Sequence, residues 1–168
     1  MLEVMLVMVV MTLAVSMLAG TITSTAKMGS LQLENAIATE AARERLEFMR
    51  IQTFDELFSR FNEDPADDPD GVGTAPGADF EVTGLSAQEN DLDNLCGKIR
   101  FPVRVAQLRE DLIDDKLGMP RDLDMDGAIT SDNVADRYLV LPVEVAVQWE
   151  SGGIQRELLM HAVYVRYE

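Results

Sequence analysis

The chain has 168 residues, 47% of them hydrophobic, and a formal net charge of −16. An acid excess of that size repels phosphate backbones and anionic headgroups, so nucleic-acid binding is not expected; it suits solubility, cation binding or a basic partner. A single cysteine, Cys96, allows no intramolecular disulfide, and together with a single histidine it makes no zinc site.

The charge is unevenly spread. The first 26 residues carry only Glu3, which leaves 29 acids and all 14 bases for the rest, a net charge of −15. From Val4 to Ala26 there is no charged residue. As a helix that run measures roughly 34 Å, enough for a hydrocarbon core of about 30 Å. Thr12 and Ser16 are compatible with a span because their hydroxyls can bond back to helix carbonyls. Gly20 and Thr21–Thr25 are weak helix formers, where the spacing predicts a bend. Two other readings exist. A cleavable signal could use Ala19 at its cut site, but MLEVM lacks the basic start; an ordinary single-span anchor leaves Glu3 unexplained. A carboxylate at the edge of an apolar span is costly and points to function, such as pairing with a cation on a neighbouring chain.

Residues 27–62 read as an amphipathic continuation of this helix, with Gly29-Ser30 its expected interruption and fraying near Asn62. Ala36, Ile37 and Ala41 lead into Phe48, Ile51, Phe54, Phe58 and Phe61, whose spacing predicts one apolar face for a sheet to pack on. Glu40, Arg43, Glu44, Arg45, Glu47 and Arg50 supply opposite charges at helical spacing. Residues 63–79, EDPADDPDGVGTAPGAD, read as a mobile acidic loop.

Residues 80–168 are expected to form an antiparallel sheet. Phe80–Thr83 is a short strand candidate. Ile99, Phe101, Val103 and Val105 alternate with polar residues and with Pro102, which marks an edge strand. Residues 138–150 alternate through Tyr138, Val143, Val145, Val147 and Trp149, Ser151-Gly152-Gly153 offers a turn, and Ile154–Tyr167 returns as the second arm of a hairpin. Between them, Asp122–Asn133 matches the opening of a D-x-D-x-D-G-x-I calcium loop. Asp122, Asp124 and Asp126 would supply carboxylates, Ala128 its carbonyl, and Ile129 would anchor the loop to the core. Asn133 stands where a bidentate Glu is required, so Asp132, Asn133 or Asp136 would have to supply the last oxygen. Pro120 argues against a full incoming helix. An acidic Asp-Gly turn without a metal is an equal reading.

His161, the only histidine, falls inside the last strand and reads as a sheet residue rather than a general base. No Ser-His-Asp or Cys-His grouping, P-loop or GxGxxG occurs, so no enzyme is expected.

The start Leu2-Glu3-Val4-Met5-Leu6, followed by unbroken Val, Met and Leu, resembles the type IV pilin-like family, over roughly the first 60 residues and more loosely over the last 30. That resemblance implies an α+β fold in which a small sheet wraps the second half of a long N-terminal helix. Glu3 matches the family glutamate, which recruits a subunit through a neighbour's N-terminal amine. Other pilin or pseudopilin subunits are the implied partners. The resemblance further implies storage in the inner membrane with the head outside the cytoplasm, then assembly into a type IV pilus or type II secretion-like filament. Family precursors carry a basic leader ending in Gly; aligned on Glu3, their mature start falls two residues before Met1, so leader and cleavage site would lie upstream of this sequence. From a different class, a single-span extracytoplasmic binding module with a calcium-stabilised acidic domain also fits.

Overall fold

The computed structural model describes residues 2–87, 94–104 and 107–167. The chain divides into two compact units, Met1–Ala36 and Ile37–Glu168. Helix α1, Leu2–Arg50, contributes to both.

In the first unit α1 is unbroken, and neither Gly20 nor Gly29-Ser30 interrupts it. No proline occurs before Pro65, and a lone helical glycine costs only about 1 kcal/mol. The hydroxyls that could compete with the ladder support it instead. Thr12, Ser16, Thr21, Thr23 and Thr25 each donate to the carbonyl four residues back, at 2.7–3.0 Å.

The second unit is α+β. Its four-stranded sheet has the order β1 (Asp79–Phe80), β2 (Gly97–Arg100), β5 (Val140–Ser151), β6 (Ile154–Val165), and every pairing is antiparallel. A separate two-stranded pair joins β3 (Val103–Arg104) to β4 (Gln107–Leu108). The hairpin β5–β6 runs twelve residues per strand without slippage, from Val140↔Val165 to Ser151↔Ile154. Its two-residue loop is Gly152-Gly153 at φ of 59° and 77°. Positive φ at both positions matches the strand twist and suits glycine best.

Leu141, Val143, Val145, Val147 and Trp149 alternate along β5 into a core shared with Ala38, Ala42 and Met49 of α1 and with Leu57, Phe58 and Phe61. The small Ala38 and Ala42, one turn apart, are fully buried. A long helix with a small antiparallel sheet is the layout that the pilin-like resemblance implies.

Several expectations need correction. The helix stops at Arg50 rather than near Asn62; Thr53 is extended, a 3-10 turn spans Phe54–Glu56, and α2 covers Leu57–Phe61. The segment after that break is held by a residue distant in sequence. The Tyr138 hydroxyl accepts from Phe58 N–H at 3.2 Å and donates to the Phe54 carbonyl at 2.6 Å. It therefore stands between two groups that an α-helix would pair directly. The aromatic stripe is split accordingly: Phe58 and Phe61 are buried, whereas Ile51 is 77% exposed.

Residues 63–79 are the expected loop up to Asp79, the first residue of β1, but the loop has internal structure. It holds a 3-10 turn, Pro65–Asp67, capped by Asp64 Oδ1, and the backbone bonds Gly73 N–H to Pro65 O and Gly77 N–H to Arg60 O. The strand expected over residues 80–83 shrinks to Asp79–Phe80. Pro102 marks no edge either: β2 is internal and ends at Arg100, two residues before the proline. Val105 lies outside the described residues.

Candidate functional site

Two features carry chemistry, one in each unit. In the first, the large apolar side chains from Leu2 to Leu33 are exposed except the half-buried Leu31, and Glu3 lies exposed in the first turn of α1. By length and composition this helix can cross a membrane, a property that a signal sequence shares.

The second feature is built in the segment between β4 and β5, which contains neither helix nor strand. Leu117, Met119, Leu123, Val134 and Tyr138 are buried along it. Leu139 and Val140 donate to the Leu123 carbonyl, and Val134 donates to the Leu108 carbonyl. Leu123 and Val134, both fully buried, therefore anchor the Asp122–Asn133 loop. Ile129, expected in that role, is 52% exposed.

The loop turns as its motif implies. Gly127 N–H donates to Asp122 Oδ2 at 2.8 Å, Asp126 N–H to Asp124 Oδ1 at 3.2 Å, and Ala128 N–H to Asp126 Oδ1 at 2.8 Å. Gly127 itself has φ of 91°, a conformation that explains the glycine. Asp126, Ala128 and Asp132 are exposed. The Asn133 side chain is committed elsewhere, its Oδ1 accepting from Leu108 N–H at 3.1 Å and Ala135 N–H at 3.2 Å.

Glu110 was not among the residues picked out from sequence. It is 0% exposed and lies within the loop. Its Oε1 accepts from Leu123 N–H at 2.7 Å and Asp124 N–H at 3.3 Å. Its Oε2 accepts from Thr130 N–H at 3.0 Å and the Thr130 hydroxyl at 3.3 Å. Carboxylate oxygens of Glu110, Asp122 and Asp124 fall within 4.8 Å of one another, a buried acidic cluster able to hold a metal ion. Asp124 also accepts from Arg137 Nε at 2.6 Å, and that hydrogen bond holds its carboxyl below the usual range. Asp122 Oδ1 is buried without a hydrogen-bond partner. No spacing rule links position 110 to the loop, so only tertiary packing reveals it.

His161 lies in β6 opposite Glu144, its Nε2 3.0 Å from Glu144 Oε2, while Arg100 Nη1 reaches Glu144 Oε1 at 2.9 Å. Glu144 is thereby a buried acid satisfied across three strands. Compared with protein-family models, curated proteins and solved structures, the chain has no match.

Proposed function

We propose that this chain is a structural subunit, a minor pilin or pseudopilin, of a type IV pilus or type II secretion-like filament. The observation that supports it most is the exposed apolar stretch of α1 over Leu2–Ile22, interrupted by a single charge, Glu3. Each large apolar side chain left in water forgoes about 1.5–3 kcal/mol, so such a helix needs lipid or other helices around it. Transfer between those two settings costs little because both are apolar. In this reading the helix waits in the inner membrane with the head outside the cytoplasm. It then enters a bundle in which Glu3 sets register against a neighbour's cation, such as an N-terminal amine. Glu3→Ala and Glu3→Val are expected to stay membrane-bound but to enter filaments poorly. Normal incorporation of both variants, read by filament shearing and immunoblotting, refutes the mechanism.

The acidic cluster favours a second reading, a single-span extracytoplasmic binding module with a calcium-stabilised head, which would remain monomeric in membranes and indifferent to Glu3. In either reading the cation is Ca²⁺. Its donors are all hard oxygens, and extracellular calcium modules work at dissociation constants on the order of 10⁻⁴–10⁻³ M.

A further inference from the structure

We infer that the cation meeting Glu3 is Lys27 of a second copy of this chain, displaced by about 36 Å along the helix bundle. This assignment rests on the filament reading above and names the partner in that contact.

Glu3 and Lys27 are the only charged residues among the first 33, and they are opposite in sign. Both are exposed on the unbroken α1. Among the described residues neither has an ion-pair partner. Within a helical turn of Lys27 stand Thr23, Ser24, Ser30 and Leu31, so no acid of its own helix answers it. The later bases of α1 have company. Arg43 has Glu40 and Glu47 at helical spacing, Arg45 lies over the Phe80 ring, and Arg50 pairs with Glu47.

The spacing sets the stagger. Parallel copies in register hold Glu3 and Lys27 at opposite ends of the span, 24 residues apart. At 1.5 Å per residue that is about 36 Å, so a copy raised by this much brings its Glu3 level with Lys27 of a copy not yet raised. The same lift carries the uncharged run clear of a hydrocarbon core of about 30 Å. Glu3 thus leaves the headgroups and needs a cation when this one comes within reach.

The azimuth sets the assembly. Over this separation a helix turns so that the two charges face about 120° apart, towards different neighbours. Each link uses the acid of one copy and the base of another and leaves one charge of each sign free. Such a contact repeats along a filament instead of closing on a pair.

The test uses the full chain in cells with its filament machinery, scored on sheared filaments. Glu3→Lys and Lys27→Glu are each expected to lower incorporation about tenfold or more, because like charges then meet. The chain carrying both exchanges is expected to recover. Zero-length carbodiimide coupling of wild-type filaments is expected to join Glu3 to Lys27 between chains, in a ladder of dimers, trimers and longer products. Dimers alone mean a closed antiparallel pair and overturn the stagger. A linked peptide joining Glu3 to an N-terminal amine, or the absence of both the Glu3–Lys27 peptide and the recovery, removes Lys27 while the filament reading stands. If wild type enters no filament, both fall. Should the exchange variants fail to insert, the wild-type coupling decides alone.

Discussion

Gly97 should be the glycine with least room for a side chain. It lies in β2 opposite Phe80, and a Cβ built on it would stand 2.2, 2.3 and 2.5 Å from three carbons of the Phe80 ring. Carbon atoms pack best at about 3.5–4.0 Å, so the ring would have to retreat by about 1.3 Å. It has little room to do so. Phe80 is buried, and the Arg45 guanidinium stands 4.3 Å from its ring centroid. Overpacking of this kind costs about 1–3 kcal/mol. Displacing the ring forfeits a further ~0.5–1 kcal/mol of cation–π contact. Against this, the stiffer unfolded chain returns about 0.4–1 kcal/mol. The net loss is about 1–3 kcal/mol for Gly97→Ala, which for a unit of this size lowers the melting temperature by roughly 4–11 °C. Circular dichroism melts of the full chain in detergent measure it, and a double-mutant cycle with Phe80→Ala isolates the cause. Once the ring is gone, Gly97→Ala should cost nothing. The reasoning is refuted if the substitution is neutral in wild type, or equally damaging with and without the ring.

Two further outcomes follow from the buried Tyr138 and the half-buried Tyr164. Tyr138→Phe removes the hydroxyl that bridges Phe54 and Phe58. It is expected to cost about 1–3 kcal/mol in denaturant titrations, unless α2 extends to pair those groups directly. Burial raises the Tyr138 and Tyr164 hydroxyls to about 12, from an ordinary value of 10.0. Both groups thus hold their protons more tightly folded than unfolded. The stability they contribute is complete below pH 10 and is lost as pH rises towards 12. Alkaline melts should show this decline in wild type and a shallower one in the Tyr138→Phe, Tyr164→Phe double variant; equal slopes would contradict it.

What the sequence revealed of the fold tracks how local each cause is. The hairpin was legible because its determinants are short-range: alternation along residues 140–165 and two glycines where the strand twist requires positive φ. The first unit was legible from an uncharged run long enough to cross a membrane as a helix. The end of α1 was not. Residues 51–61 keep helical spacing, yet Thr53 is extended and the Phe54–Phe58 pairing is replaced by a hydroxyl from Tyr138, more than seventy residues away. Pro102 misled for a similar reason: it signals that a strand cannot continue, and β2 had already ended at Arg100. Pairing with β5, invisible in the local pattern, makes that strand internal.

The acidic centre divides along the same line. Asp122 and Asp124 could be named in advance because an every-second-residue acid pattern closed by Gly127 encodes a turn whose carboxylates converge. Glu110 could not, because a buried acid among 30 acids has no sequence mark of its own. Yet its burial follows from the loop. Leu123, Asp124 and Thr130 aim backbone N–H groups at one point, and an acceptor with two oxygens is what satisfies them. An apolar residue at 110 would orphan those donors. An amide could answer them only with its single carbonyl oxygen, since its nitrogen donates. The loop therefore requires a carboxylate at that point on hydrogen-bonding grounds alone, before any cation is considered.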